Sequence, residues 1–215
     1  MRGSTVKYWL ILACVLATMY GSFVAWRRDH WSAAVAAAPA FATRSEPNRP
    51  PLSEFVLTDQ DGKKFESASL RGKVWVGSFF FTNCPAVCWR LNQTLAGLQE
   101  TTPESGVRYL SITCDPQNDT PAALAKYAGH FKADPARWTF LTGDMQLIRR
   151  IGNDFFHVAV ENGTHSDRAF VVDRAGQVRG RFRLTEPEQV EMLKKLLAQV
   201  EAEPTPDAAG TATPP

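Results

Sequence analysis

Residues Val74 to Phe81 (VWVGSFFF) form an uncharged, mostly apolar run of strand length. Such a run reads as a strand buried on both faces, which commits the chain to covering it on each side. It leads through Thr82 and Asn83 into Cys84-Pro85-Ala86-Val87-Cys88, and the sequence beyond predicts a helix to about Gln99. The strand expected to be most deeply buried therefore ends where two thiols begin.

The pattern on either side alternates. Phe55-Val56-Leu57 and Lys64-Phe65 flank Asp61-Gly62, a hairpin turn signal. Val107 to Thr113 (VRYLSIT) reads as a strand with polar and apolar residues alternating. Thr120-Pro121 opens a helix, with Thr as N-cap and Pro at the first helical position. Trp138 to Leu141 predicts a short strand, Asp144 to about Phe155 a helix, and Phe156 to Val160 and Ala169 to Val172 two further strands. Arg174-Ala175-Gly176 turns the chain into a strand over Val178 to Arg183. Thr185-Glu186-Pro187-Glu188 reads as a capping box. The helix it opens has an apolar stripe of Val190, Leu193, Leu197 and Val200. Strands alternating with helices, closed by a hairpin and a helix, predict an α/β sandwich with a mixed sheet. By analogy of fold rather than by periodicity, a central strand running into Cys-Pro at a helix start is the thioredoxin-like arrangement.

Cys84 and Cys88 are spaced i, i+4, so on a helix both thiols share one face with Cβ atoms ~5–6 Å apart. A relaxed disulfide wants ~3.5–4.5 Å, whereas two thiolates on one soft metal ion can stand further apart. A helix N-terminus is expected to lower a thiol pKa, with Arg90 adding to the effect if it points toward the pair. The bland alternative is two buried structural cysteines beside a strand. Two thiolates favour Cu(I) or Zn(II), and structural zinc wants two further ligands. Among the histidines, His30 is poorly placed, His130 reads as a surface residue at a helix end, and His157 as a strand residue. His165 follows Asn162-Gly163-Thr164 in a loop just before a strand, the kind of position that often carries function. One histidine with two thiolates makes a three-coordinate site suited to Cu(I).

Other segments qualify the averages. The stretch from Tyr8 to Trp26 carries no charge and is bracketed by tryptophans. About 20 apolar residues span a bilayer, so it is expected to be an uncleaved transmembrane anchor, longer than the usual signal-peptide core. Residues 1–7 precede it, 27–50 read as an alanine- and proline-rich linker, 51–203 as one domain and 204–215 as a disordered tail. With 24 Lys+Arg against 22 Asp+Glu, the net charge of +2 speaks against a strongly basic nucleic-acid binder. Four cysteines are too few for a disulfide-dense scaffold but enough for one metal or redox site.

These motifs together resemble the SCO/SenC family of copper-binding cytochrome oxidase assembly proteins. The matching pieces run from Phe79 to Cys88, from Ser111 to Pro116, through Asp119-Thr120-Pro121 with Leu124 and Tyr127, and on to His165-Ser166 and Asp173-Arg174-Ala175-Gly176. The resemblance covers roughly residues 51–200. It implies a thioredoxin-like fold, with Cys84 and Cys88 as thiolate ligands of copper and His165 as the third ligand. It also implies an N-terminus in the cytoplasm of a bacterial-type cell and a soluble domain on the periplasmic side of the inner membrane. The implied partners are the copper-centre subunit of a cytochrome oxidase and a copper donor protein. Three positions depart from the family pattern. Trp89 stands where Pro usually follows the second cysteine, Thr164 where Asp often precedes the histidine, and Cys114 where an aliphatic residue is usual.

Two functional classes follow. One is a membrane-tethered copper chaperone that passes its ion on by ligand exchange. The other is a thiol–disulfide oxidoreductase, with Cys84 attacking and Cys88 resolving. A peroxidase-like relative would need one reactive cysteine with its own activating surroundings, and the paired spacing argues against it. Cys114 reads either as a buried strand residue or as a resolving thiol or extra ligand. Asp115-Pro116 reads as a strand-ending turn.

Overall fold

The structure is a computed structural model, and it describes residues 18–23, 54–102, 106–164 and 166–204. The chain divides into two units, residues 1–47 and 48–215. In the first, residues 18–23 are helical. Among the described residues no helix is long and apolar enough to cross a membrane. The expected anchor over 8–26 lies outside the described residues apart from 18–23, as do the linker and most of the tail.

The second unit is built on one sheet of seven strands. In chain order they are β1 (Val56–Asp59), β2 (Lys64–Glu66), β3 (Trp75–Phe80), β4 (Arg108–Thr113), β5 (Trp138–Thr142), β6 (Arg168–Val172) and β7 (Val178–Arg183), and their spatial order is β2-β1-β5-β4-β3-β6-β7. The inner trio β3, β4 and β5 is parallel, whereas β1, β2, β6 and β7 pair antiparallel, so the sheet is mixed as expected. Parallel neighbours need crossovers. These are α1 (Val87–Thr101) between β3 and β4, and α2 (Pro121–His130) between β4 and β5. A six-residue helix α3 (Met145–Arg150) follows β5, and α4 (Pro187–Ala202) closes the chain.

Local chemistry explains most of these elements. Asp61-Gly62 turns β1 into β2 with Gly62 at φ +78, a conformation that suits glycine. Thr120 caps α2 by accepting the N–H of Ala123 at 3.3 Å, with Pro121 opening the helix. Every residue of β3 is buried, as its apolar run predicts. Leu91, Leu95 and Leu98 of α1 and Leu193, Leu197 and Val200 of α4 join the strands in one hydrophobic core.

Three expectations need correction. The alternation in β4 is not an inside–outside pattern, because Tyr109 to Thr113 are all buried. Its polar members are held by partners instead of water: Trp138 Nε1 donates to Ser111 Oγ at 3.0 Å, and the Thr113 hydroxyl donates to Asp119. The stretch 156–160 is not a strand. His157 sits at φ +55, Val158 N–H donates to Gly152 O at 2.9 Å, and Arg181 donates to Phe156 O at 3.2 Å, so local bonds replace a ladder. The Phe156 ring lies over β3 at Gly77, where a Cβ would come within 2.8 Å of it. The helix after Asp144, by contrast, does run to Phe155 as expected, α-helical to Arg150 and π-helical over Ile151–Phe155. The capping box does not form. Thr185 Oγ1 donates to Asp167 Oδ2 at 2.9 Å, and Glu186 takes the N-cap position with no side-chain cap.

Candidate metal centre

β3 carries the chain to Phe80, and a turn follows in which Cys84 N–H donates to Phe81 O at 3.3 Å. α1 begins only at Val87, so Cys84 lies in the turn and Cys88 is the second residue of the helix. The i, i+4 spacing therefore does not mean two positions on one helix. The N-cap residue, Ala86, has no side chain able to cap. Cys84 fills that role from outside the helix: Cys88 N–H donates to Cys84 Sγ at 3.2 Å. The first N–H groups of a helix lack intrahelical acceptors, so a sulfur aimed at one of them satisfies it and is held in place.

Both cysteines are buried, Cys88 completely. Burial, reinforced by a hydrogen bond to Cys84, pushes the Cys88 thiol up to about 12. This overturns the expectation of a lowered pKa at Cys88: desolvation outweighs the helix terminus there. Arg90 is exposed and lines a surface groove with Gln93, Thr94 and Glu191.

A network of buried polar groups fixes Cys88 from behind. Asn92 Nδ2 donates to Cys88 O at 2.9 Å and to Tyr127 Oη at 3.3 Å, while its Oδ1 accepts from Ser111 Oγ at 3.2 Å. A second anchor holds the approach to Cys84. Asp119 is fully buried and accepts from the backbone N–H of Thr82 at 3.1 Å, and also from the hydroxyls of Thr82 and Thr113. Neither role is evident in the sequence. There Asn92 is one polar residue within a helix, and Asp119 only part of a motif. An Asn on the stripe of Leu91, Leu95 and Leu98 is the signal that a buried polar network was present.

Cys114 follows β4 and is fully buried. Its Sγ donates to Phe80 O at 3.1 Å and Thr164 O at 3.3 Å, and burial pushes its thiol up to about 12. Asp115 accepts from Asn118 Nδ2 at 2.8 Å in the turn that leaves the strand, as expected of Asp115-Pro116.

His165 lies outside the described residues. The turn before it is defined: Thr164 N–H donates to Glu161 O at 3.0 Å, and Glu161 N–H donates to Thr164 Oγ1 at 3.1 Å. Of the other histidines, His130 is exposed at the end of α2 with its ring 6.0 Å from that of Trp89, and His157 is exposed. Trp89 packs against Phe131 at 4.7 Å and Tyr127 at 6.3 Å between ring centroids. Among the described residues no group of three or more His, Cys, Asp or Glu side chains is placed to hold a metal ion. The donors that are described, two adjacent buried sulfurs, suit a soft, low-coordinate ion.

A mixed sheet with a dithiol where its buried parallel strand meets the next helix defines a thioredoxin-like protein. The chain belongs to the SCO1/SenC family, whose family model matches residues 44–201. It is 36% identical over 97 residues to an SCO1 protein homolog of Bacillus subtilis, covering 44% of this chain and 50% of that protein. The chain spans between half and three fifths of the length of the curated relatives it matches first. Among solved structures it is similar to BsSco, described as a member of the Sco family of cytochrome c oxidase assembly proteins with a disulfide switch, at 25% identity and TM-score 0.65 over 74% of this chain and 98% of that one. It is also similar to yeast Sco1 with copper bound, at 26% identity and TM-score 0.57 over 73% and 97%.

Proposed function

We propose that this protein is a copper chaperone for the assembly of a respiratory cytochrome oxidase, with copper as its cargo. Cys84 and Cys88 supply two thiolates and His165 an imidazole. The observation that carries the reading is the bond from Cys88 N–H to Cys84 Sγ at 3.2 Å, which fixes the sulfur of the first cysteine against the backbone of the second at a helix start. Two buried sulfurs match the softness of Cu(I). A three-coordinate site leaves one side open, so a partner's ligand can enter before a protein ligand leaves. The copper-bound yeast relative supports the choice of ion, and the family role of BsSco supports the destination.

In this reading residues 8–26 anchor the protein in a bacterial-type inner membrane and the domain faces the periplasm. It takes copper from a donor protein and delivers it to the copper-centre subunit of the oxidase, with the tether raising the effective concentration at that partner. Anaerobic titration of the reduced full chain with Cu(I) tests the site. One equivalent is expected to bind, to be lost in Cys84→Ser and Cys88→Ser, and to be weakened in His165→Ala. Stoichiometric binding that survives both Cys88→Ser and His165→Ala would overturn the assignment.

The contact between the two sulfurs also favours a second reading, thiol–disulfide exchange aimed at the oxidase's own cysteines. Cys88, buried and pushed up to about 12, would then resolve, and Cys84 would attack. Oxidase assembly that is intact in His165→Ala but absent in either Cys→Ser variant selects this reading.

A further inference from the structure

Cys114 is the buried thiol that neither reading uses. Its backbone N–H donates to Phe80 O at 2.8 Å, and its Sγ donates to the same carbonyl at 3.1 Å. Phe80 ends the strand that leads into Cys84. On its other side, Cys114 O accepts from Gly163 N–H at 3.1 Å, and Cys114 Sγ donates to Thr164 O at 3.3 Å. Thr164 immediately precedes His165. One residue thus ties the strand end before the first cysteine to the turn before the histidine.

We propose that Cys114 is a positioning residue, whose thiol clamps the turn that ends at Thr164 against the end of β3 and so helps to set the third ligand, His165, relative to the cysteine pair. The proposal rests on the copper-site reading above. The two backbone bonds are open to any residue at 114. The side-chain bonds are not: a thiol carries one hydrogen, shared here between two carbonyls, and an aliphatic residue carries none to give. An aliphatic residue at 114 would leave the turn tied by backbone alone.

The test compares the full chain with Cys114→Val, which removes the donor, and Cys114→Ser, which restores one. In metal-free, reduced protein, amide hydrogen exchange at Gly163 and Thr164 is expected to rise about three- to tenfold in Cys114→Val, the span of one modest hydrogen bond. Exchange in α4 should not move, and Cys114→Ser should recover part of the protection. In the copper-loaded protein, transfer of Cu(I) to a competing chelator should accelerate by a similar factor in Cys114→Val. It should not accelerate further when Cys114→Val is added to His165→Ala, because the clamp acts through that ligand. Unchanged exchange at the turn overturns the proposal, and so does equal acceleration with and without His165. If the parent chain takes up no copper, the copper reading fails while the exchange arm still decides the clamp. If Cys114→Val loses its cooperative thermal transition, Cys114→Ala removes the donor without added bulk and serves in its place.

Discussion

The carboxyl group of Asp119 accepts both the backbone N–H and the hydroxyl of Thr82, a residue 37 positions earlier in the chain. The Thr113 hydroxyl donates to the same group, and Asp119 N–H donates to Asp115 O at 2.9 Å. One buried side chain thereby joins the segment before Cys84 to the end of β4. Asp119→Asn puts an N–H₂ where only acceptors serve and leaves at least one buried donor unpaired. The expected loss is about 2–4 kcal/mol of unfolding free energy, read from urea unfolding at neutral pH. A loss inside experimental error would show that the acceptor role is dispensable.

Arg174 closes the opposite end of the domain. Its guanidinium donates to Val200 O at 2.8 Å, Glu201 O at 2.9 Å and Glu203 O at 2.9 Å. The last carbonyls of a helix have no intrahelical donor, and a cation there also complements the helix dipole. Lysine carries the charge but not the planar fork. Arg174→Lys is expected to cost about 1–2 kcal/mol and Arg174→Ala about 2–3 kcal/mol, with faster amide exchange over residues 197–202. Equal stability of the parent and Arg174→Ala would remove the capping role.

Much of this was legible in the sequence, and the failures share a cause. The apolar run at 74–81, the Asp61-Gly62 turn and the Thr120-Pro121 start each carry local chemistry that fixes an element, and the structure has all three. The lapses at β4, 156–160 and Thr185 arise where a tertiary partner outbids the local signal. Ser111 and Thr113 look solvent-facing until Trp138 and Asp119 are placed beside them. Thr185 is a sound N-cap by sequence until Asp167 claims its hydroxyl. At the site, the spacing of Cys84 and Cys88 identified the pair but not its geometry, because where α1 begins depends on the turn before it. The clamp at Cys114 and the anchor at Asp119 span 50 and 37 residues, separations no local pattern records.

The buried thiols make the domain sensitive to alkali. Cys88 and Cys114 are each pushed from an ordinary 9.0 up to about 12, chiefly by burial. Between those values the unfolded chain loses thiol protons that the folded chain keeps. The thiols' contribution to folding stability is therefore fully present below about pH 9, falls as pH rises, and is lost by about 12. Burial raises Tyr109 and Tyr127 in the same direction, which adds to the fall. Each thiol contributes a loss of about 1.4 kcal/mol per pH unit inside the window. Urea unfolding of the reduced protein at pH 7.5 and 10 should show the fall. A Cys88→Ala, Cys114→Ala double variant should show it reduced by about 2–3 kcal/mol. An identical fall in the double variant would mean that the thiols do not drive it.

Trp89 offers a test of what the residue after the second cysteine does in this chain. It is the third residue of α1, inside the stretch whose N–H groups have no intrahelical acceptor, so proline there breaks no helix bond. Its side chain is 38% exposed and leans on Tyr127 and Phe131, and Tyr127 accepts from the Asn92 that holds Cys88 O. Trp89→Pro is expected to fold and to bind one equivalent of Cu(I), because no ligand is removed. It should lose about 1–2 kcal/mol of stability with the aromatic contacts, measured by urea unfolding. If Trp89→Pro instead loses copper while its stability holds, Trp89 acts on the metal site directly, and packing against Tyr127 is not its main role.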